Sequence, residues 1–265
     1  MQSDFVSEKS LKNFLKNKII GKNLIVLESV GSTNDYLKNL GNDGCENGTV
    51  VLAREQTNGK GRLGRSWICK KDESLALSIL LRPKMAPSEV SAITPLTGLA
   101  VCKALRKFTG MECKIKWPND IIVGRKKLVG ILTEMSAEFD AVDYVVIGVG
   151  INVSQADFPK TIADKATSIL LESGKNIDKN KLSAFILEEI EKTFTENNLE
   201  LSATALREYT DLCATIGRNV SFRRNKNELS GIAVGIAQNG ELKIMLSDGK
   251  VSLVNSGEVT VQGIY

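Results

Sequence analysis

Short runs of apolar and β-branched residues recur through the first 153 residues, and each run predicts a β-strand. The clearest run alternates Leu75, Leu77, Ile79 and Leu81 with mostly smaller or polar residues, which is the period of a strand. The pattern predicts seven strands in this part of the chain, over residues 24–28, 49–54, 75–81, 114–117, 121–123, 127–135 and 144–153.

Apolar residues at helical spacing predict helices between and after these strands. A short helix over residues 36–40 follows three residues that commonly cap helices, namely Ser32, Thr33 and Asn34. A longer helix through Phe108 ends at Gly110. It starts either at Pro95 behind a Thr94 cap, or near Ser88 with a kink at Pro95. Two more helices are predicted over residues 182–190 and 205–212.

The pattern changes after Thr215, where five short strands are predicted over residues 220–222, 232–237, 242–246, 251–254 and 259–261. Asn239-Gly240 and Asp248-Gly249 are typical hairpin turns, and Ser256-Gly257 precedes the last strand. So many short strands in about fifty residues indicate a small closed β-barrel. The sequence therefore predicts an α+β protein with a mixed-sheet domain over residues 1–214 and a barrel over residues 215–265.

The composition restricts the chemistry more than the fold. The 265 residues are 42% hydrophobic and 25% charged, as in ordinary globular proteins. No apolar run approaches the ~18 residues of a membrane span, so no membrane association is expected. The chain has no histidine, which excludes Ser-His-Asp and Cys-His catalysis and any histidine metal site. A formal charge of +4 suits a small anionic substrate.

The cysteines and the N-terminus predict a cytoplasmic protein. The first 18 residues mix charged and apolar side chains and lack the apolar core of a secretory signal. The cysteines have no paired spacing, and their number is odd: Cys45, Cys69, Cys102, Cys113 and Cys213. Reduced thiols are the interpretation that fits this pattern.

A loop over residues 56–67 combines three glycines with the cations Lys60, Arg62 and Arg65. Glycine lets the backbone approach a ligand, and successive backbone amides can bind an anion. Arginine adds a fork that matches phosphate. Trp67 can stack on a base or close over a ligand. On this loop alone, a solvated basic loop without a ligand is an equally good interpretation.

The glycines of this loop also match the dinucleotide fingerprint G-x-G-x-x-G, at Gly59, Gly61 and Gly64. That fingerprint requires a preceding strand and a following helix. Here the next predicted element is the strand over residues 75–81. The strand–loop–strand context therefore disfavours a Rossmann oxidoreductase.

A second stretch places Asn119 and Asp120 after Pro118, which ends the preceding strand. Asp120 has the chemistry for Mg²⁺, which usually takes one or two carboxylates plus phosphate oxygens. Lys127 begins an apolar strand, so its ammonium is expected at a fixed position. An Asx turn beside solvent-exposed lysines is the alternative interpretation.

A third stretch places Gly148 and Gly150 inside an apolar strand, just before Asn152. Glycine weakens a strand, and it often marks the close approach of a ligand or another backbone. Asn152 can bind the edge of an adenine ring. A tight packing contact or a β-bulge is the alternative.

Together these segments resemble the biotin–protein ligases in their residues and their order. The similarity covers residues 24–153, and the barrel agrees with the small SH3-like domain of that family by pattern. The four motifs are Gly31-Ser-Thr-Asn34, Gln56-x-x-Gly-Lys-Gly-Arg-x-Gly-Arg-x-Trp67, Lys116-Trp-Pro-Asn-Asp120 with Lys127-x-x-Gly130, and Gly148-x-Gly-Ile-Asn152. The family loop commonly has arginine where this chain has Lys60, which keeps the charge but lacks the bidentate fork.

The resemblance implies an enzyme that activates biotin with ATP and Mg²⁺, and then transfers it to a lysine of a biotin carboxyl carrier protein. Biotin would be bound by Ser32, Thr33, Asn34, Gln56, Gly59, Lys60, Gly61, Arg62, Lys127 and Gly130. ATP and the adenylate would be bound by Arg62, Arg65, Trp67, Asn119, Asp120 and Asn152. The catalytic residues would be Lys127, Arg62 and Asp120, with Asp120 also binding Mg²⁺.

Two related activities remain as alternatives: a lipoate or octanoate ligase of the same fold, and a regulator that binds biotinoyl-AMP without transferring it. Only about twenty residues precede the first predicted strand, so we expect no N-terminal DNA-binding domain and no DNA partner. Exposed strand edges make a homodimer a further expectation.

Overall fold

A computed structural model describes residues 5–138, 140–224, 227–255 and 259–265. Its helices are α1 (Glu8–Lys12), α2 (Thr33–Asn42), α3 (Ile93–Thr109), α4 (Ile169–Ser173), α5 (Lys179–Asn197) and α6 (Ala203–Leu212). The first seven strands are β1 (Leu24–Leu27), β2 (Val50–Ala53), β3 (Ser74–Leu81), β4 (Cys113–Lys116), β5 (Asp120–Val123), β6 (Lys126–Glu138) and β7 (Ala141–Asn152). The remaining strands are β8 (Asn219–Arg224), β9 (Asn227–Ile236), β10 (Leu242–Leu246), β11 (Val251–Val254) and β12 (Val259–Val261).

The first seven strands form one mixed sheet in the order β1-β2-β3-β7-β6-β5-β4. The β1–β2 pair is parallel and the other pairs are antiparallel. All eight residues of β3 are buried, because helices cover both faces of the sheet. Leu77 and Ile79 pack in the main core with α3 and α5, whereas Leu80 packs with Leu37 of α2 on the opposite face. Burial on both faces explains why apolar residues fill consecutive positions.

The start of α3 combines features of the two alternatives. The α-helix begins at Ile93, and a 3₁₀ helix over Pro87–Ala92 leads directly into it. Pro95 is the third helical residue, where a missing N–H is tolerated because the first four amides have no intrahelical acceptor. Gly110 ends the helix in the left-handed conformation with φ 75°, as expected for a glycine cap.

Two helices, α1 and α4, were not predicted, because each has only five residues and so shows no apolar period. Their caps are nevertheless conventional, since the hydroxyls of Ser7 and Ser168 accept hydrogen bonds from the first turns. Ser32 caps α2 in the same way, which decides between the three candidate caps of that helix.

The C-terminal strands form a five-stranded antiparallel sheet in the order β11-β10-β9-β8-β12. Gly240, with φ 86°, forms the predicted turn between β9 and β10. The predicted turn at Ser256-Gly257 lies outside the described residues. Within the described ranges, β11 and β12 are the two outer strands of this order. The five short strands agree with the small C-terminal β-domain that the pattern predicted.

The two sheets are joined by hydrogen bonds around Trp117, which is 2% exposed. Its backbone N–H donates to Thr215 Oγ1 at 3.1 Å, and its indole N–H donates to the Gly240 carbonyl at 2.9 Å. Ser91 donates to the Asn239 carbonyl at 3.1 Å. The β9–β10 turn therefore packs against the seven-stranded sheet and the start of α3.

Among the described residues, no helix has both the length and the apolar character needed to cross a bilayer.

Candidate functional site

A strip of three glycines forms the floor of a cavity on β6 and β7. Gly130 pairs with Gly150 across the two strands, and Gly148 lies two residues before Gly150 on the same face. A Cβ atom at Gly148 would overlap the Asn34 amide, and one at Gly150 would overlap the Trp67 indole. The glycines therefore let the Asn34 amide and the Trp67 indole pack directly against the main chain of the floor.

A first cavity lies above this floor and has a free volume of about 50 Å³. The four sequence motifs all contribute to its lining. The predicted site residues that line it are Ser32, Thr33, Asn34, Gln56, Lys60, Gly61, Arg62, Trp67, Asn119, Lys127 and Gly130. Gly59 does not line it: its carbonyl accepts a hydrogen bond from the Trp67 N–H at 2.8 Å, so it shapes the loop behind the cavity.

One end of the first cavity is a buried network of polar side chains. Thr33 donates to Gln56 Oε1 from both its backbone N–H and its hydroxyl, at 2.8 and 3.0 Å. The Ser78 hydroxyl lies 2.8 Å from Thr33 Oγ1 and 2.6 Å from Asn34 Oδ1. Asn34 Nδ2 donates to Glu134 Oε2 at 2.8 Å. These side chains present donors and acceptors in fixed places, which suits a polar ring.

The loop of residues 56–67 covers the first cavity. Lys60 pairs with Asp35 of α2 at 2.5 Å, and Lys38 pairs with the same carboxylate at 2.9 Å. Burial alone would raise the pKa of Asp35, but its hydrogen bonds to the two lysines lower the pKa below the usual value. Arg62 donates to Asn119 Oδ1 at 2.9 Å. The loop is thus held over the cavity by ion pairs and hydrogen bonds.

Arg62 is one of the cations of the loop that covers the first cavity. Burial lowers the pKa of its guanidinium; Asp120 opposes this shift and Arg65 adds to it. The guanidinium remains charged at neutral pH, because arginine is not deprotonated in proteins.

At the other end, Lys127 contacts both the cavity and an acidic side chain. Its ammonium lies 2.6 Å from Asp120 Oδ1 and 5.5 Å from the centre of the Trp67 ring. Tyr265 donates a hydrogen bond to Asp120 Oδ2, and the Tyr265 ring lies 3.9 Å from the Lys116 ammonium. Burial lowers the pKa of Lys116 to about 8; Asp120 opposes this shift, and Lys127 and Arg65 add to it.

A second cavity of about 280 Å³ adjoins the first, and Trp67 and Lys127 line both. One of its walls is apolar and includes Ile68, Phe158, Ile162 and Ala166. Its cations are Arg65, Lys70, Lys127 and Lys165. An apolar wall beside cations suits a ligand with a flat base and phosphates.

Asn152 and Asp120, two of the residues predicted to bind the nucleotide, also line the second cavity, whereas Asn119, predicted with them, lines the first. The amide of Asn152 donates to the Thr167 carbonyl at 2.9 Å and accepts from Gln155 at 3.1 Å. Its side chain therefore supports the cavity wall in this conformation. The Trp67 indole N–H is buried and, within the described residues, has no hydrogen-bond acceptor.

Asp120 is the residue predicted to hold Mg²⁺. The described residues contain no group of three acidic, cysteine or histidine side chains placed to hold a metal ion. Asp120 fits the role, because Mg²⁺ is commonly held by one or two carboxylates together with phosphate oxygens, and Glu73 and Asp157 also line the second cavity. The two carboxylate oxygens of Asp120 contact Lys127 and Tyr265, so Mg²⁺ would have to displace one of these contacts.

The sequence missed several residues of the site. Tyr265 and the wall over residues 158–166 come from segments without a periodic pattern, so no local signal indicated them. The wall is placed by the pairing of Lys127 with Ala166 and by the hydrogen bond from the Lys127 N–H to the Lys165 carbonyl at 2.7 Å. Ser78 was not predicted, because it lies in a strand whose other residues are mostly apolar.

Comparisons with known proteins agree with this geometry. Residues 26–152 match the Biotin/lipoate A/B protein ligase family, and residues 215–261 match the Biotin protein ligase C terminal domain. The chain is 35% identical to the Bifunctional ligase/repressor BirA of Bacillus spizizenii, over 92% of this chain and 76% of that protein. It is 31% identical to the Biotin--[acetyl-CoA-carboxylase] ligase of Mycobacterium tuberculosis, over 92% and 93% of the two chains.

A solved structure of the biotin protein ligase from Aquifex aeolicus in complex with biotin and ATP superposes with a TM-score of 0.76 at 30% identity. The match covers 91% of this chain and 99% of that one.

Proposed function

This chain belongs to the biotin protein ligase family, and on that premise we propose that its two joined cavities form biotinoyl-AMP from biotin and ATP. The observation that supports this most directly is that Trp67 and Lys127 line both cavities. A carboxylate bound in the first cavity and a phosphate bound in the second would therefore meet at the Lys127 ammonium.

The first cavity suits biotin. Its polar end offers Thr33, Gln56 and Asn34 to the ureido ring, while the glycine floor leaves room for the ring system. Its charged side chains are the cations Lys60, Arg62 and Lys127, which suit the carboxylate. The Trp67 indole packs directly over Gly150 of the floor, so we expect it to move and the free volume to increase when biotin binds.

The second cavity suits ATP. The apolar wall and Trp67 would hold the adenine ring, and Arg65 and Lys165 lie where phosphates could be bound. Mg²⁺, which is part of this proposal, would be held by Asp120 and would offset the charge of the phosphates.

Activation needs no general base, because the biotin carboxylate is ionised at neutral pH. It needs positive charge, since two anions must approach each other. Lys127 and Arg62 would stabilise the negative charge that gathers on the α-phosphate during the attack. The loop that carries Arg62 would exclude water from the mixed anhydride. A chain without histidine is consistent with this chemistry.

In the second step, the lysine of a biotin carboxyl carrier protein would attack the acyl carbon, and AMP would leave. Asp120 would accept the proton from the amine. This role would require Asp120 to exchange the Lys127 contact for the incoming amine, because both carboxylate oxygens are engaged at present.

Biotin-dependent exchange of labelled pyrophosphate into ATP tests the proposal. We expect exchange with biotin and none with lipoate or octanoate. Lipoate-dependent exchange would favour the related ligase, and biotin binding without exchange would favour a regulator. The polar network around Thr33 and the match of residues 215–261 both favour biotin.

Three further statements belong to this proposal. We propose that residues 1–214 and 215–265 are the two domains. We propose a cytoplasmic location, since all five cysteines are free thiols. Homodimer formation stays a prediction that analytical ultracentrifugation would test.

A further inference from the structure

A third cavity, of about 460 Å³, lies between the two sheets. We refer to it as the interdomain cavity. One side consists of the 3₁₀ helix and the start of α3, with Ser88 and Thr94 facing the space. The opposite side is the β9–β10 turn with Glu241. The base is formed by Trp117, which fixes the turn through its indole hydrogen bond.

The interdomain cavity meets the first cavity at a shared wall. Arg62, Ile131 and Leu132 line both cavities. Arg62 is held there by its hydrogen bond to Asn119 at 2.9 Å. The second cavity meets the first at a different place, beside Trp67 and Lys127. A ligand that extends through the first and second cavities would thus leave the interdomain cavity open.

The charges of the three cavities differ. The first cavity has three cations and no carboxylate among its lining residues, and the second has four cations and the three carboxylates of Glu73, Asp120 and Asp157. Among the described residues, the interdomain cavity contains no lysine; its only cation is Arg62 on the shared wall, and its carboxylate is Glu241. An ammonium group entering from solvent is therefore disfavoured in the first cavity, and the second would be occupied by the nucleotide part of the adenylate, whereas the third balances one cation with one carboxylate.

Its other lining groups also suit a lysine side chain. Trp117, Pro118 and Pro95 offer apolar surface to an aliphatic stem. Thr94 and Thr133, which are hydrogen-bonded to each other at 2.8 Å, offer oxygen acceptors to an ammonium. The half-exposed Glu241 is positioned by the Asn239 amide, which donates to its Oε2 at 2.8 Å.

The geometry points to the interdomain cavity as the route by which the acceptor lysine reaches the acyl-adenylate, with Glu241 holding its ammonium on the way. This inference rests on the proposed function and specifies where the second substrate binds. The lysine loses one proton before it attacks. Its nitrogen then forms the amide bond to the acyl carbon while the bond from that carbon to the phosphate oxygen breaks. AMP leaves with that electron pair, and the nitrogen releases a second proton.

The test measures biotin activation and biotin transfer separately in the protein of 265 residues. Glu241→Gln and Glu241→Lys change the charge that lines the interdomain cavity. Ser88→Trp adds bulk at an exposed position of the lining and narrows the opening of the cavity. Asp248→Lys is the matched control, because Asp248 lies in the neighbouring β10–β11 turn and is absent from the cavity lining. Each variant is assayed for biotin-dependent pyrophosphate exchange and for biotin transfer to a purified biotin carboxyl carrier protein.

We expect exchange to be unchanged in all variants. The KM for the carrier protein should rise about tenfold in Glu241→Lys, less in Glu241→Gln, and not in Asp248→Lys. Ser88→Trp should slow transfer to the carrier, while hydroxylamine, a small nucleophile, still consumes the bound adenylate at the normal rate.

Two results would overturn the inference. One is transfer to the carrier at the wild-type rate and KM in both Glu241→Lys and Ser88→Trp. The other is an equal loss with hydroxylamine and with the carrier, which would place the defect in the adenylate itself. In either case, retained exchange would leave the proposed function intact. Failure of exchange in the wild-type protein would instead refute the proposed function.

Discussion

Lys127→Met removes one ammonium from the junction of the first and second cavities and keeps an unbranched apolar side chain in its place. In the wild-type protein this ammonium lies 2.6 Å from Asp120, and the two side chains are 29% and 12% exposed. The substitution therefore removes both the proposed contact with the α-phosphate and the ion pair with Asp120.

The structure sets the size of each effect. A hydrogen bond to a charged group contributes ~1.5–3 kcal/mol. Since each 1.36 kcal/mol is a factor of ten in rate, we expect pyrophosphate exchange to fall by about 10- to 150-fold. The loss of the ion pair should lower the free energy of unfolding by only about 1 kcal/mol, because the pair is partly solvated and Tyr265 still binds Asp120.

The assay is the kcat/KM of biotin-dependent exchange, measured beside urea unfolding of the same preparation. Lys126→Met is the control, because the Lys126 ammonium contacts the Ala163 carbonyl and lines neither cavity. A fall of less than about threefold for Lys127→Met would refute the role given to this ammonium, since it lies below the range for a charged hydrogen bond. Repeating the change in an Asp120→Asn background measures the coupling between the two residues.

Three further outcomes are expected. Gly150→Ala should abolish exchange, since the added methyl group overlaps the Trp67 indole; a protein that binds biotin normally in calorimetry would contradict this. Trp117→Phe loses the hydrogen bond to Gly240 and should lower the free energy of unfolding in urea by about 1 kcal/mol. The pKa of Lys116 is about 8, so its positive charge is present below that pH and lost above it. A side-chain NMR titration of Lys116 should therefore show its ammonium losing the proton near pH 8, because burial disfavours the charged form; a midpoint near 10.5 would contradict this.

Much of the fold followed from the apolar pattern alone. The strands β10, β11 and β12 have the predicted bounds, and the strands of the large sheet differ by a few residues at their ends. Their order in the sheet did not follow, because β1 and β2 are parallel neighbours joined through α2, and no local pattern encodes such pairing. The short helices α1 and α4 depend on tertiary packing and caps rather than on a period.

The residues of the candidate site likewise fall into two groups, those with a local sequence signal and those without one. Residues with unusual local chemistry, such as the glycines and cations of the loop, were predicted from the sequence; the structure places Lys60, Gly61 and Arg62 at the first cavity and Arg65 at the second. Residues whose role depends on distant contacts were not. Trp117 was noted within a motif, but its indole acts by reaching Gly240, which is 123 residues away. Tyr265 contacts Asp120 across 145 residues.

The glycine floor also limits how this pocket can vary during evolution. Gly130, Gly148 and Gly150 line the first cavity with backbone atoms, which a substitution cannot replace; it can only add bulk above them. Selectivity between related substrates must then be altered from the rim, through side chains such as Gln56. Libraries built to accept biotin analogues should accordingly diversify the rim and leave these three codons constant.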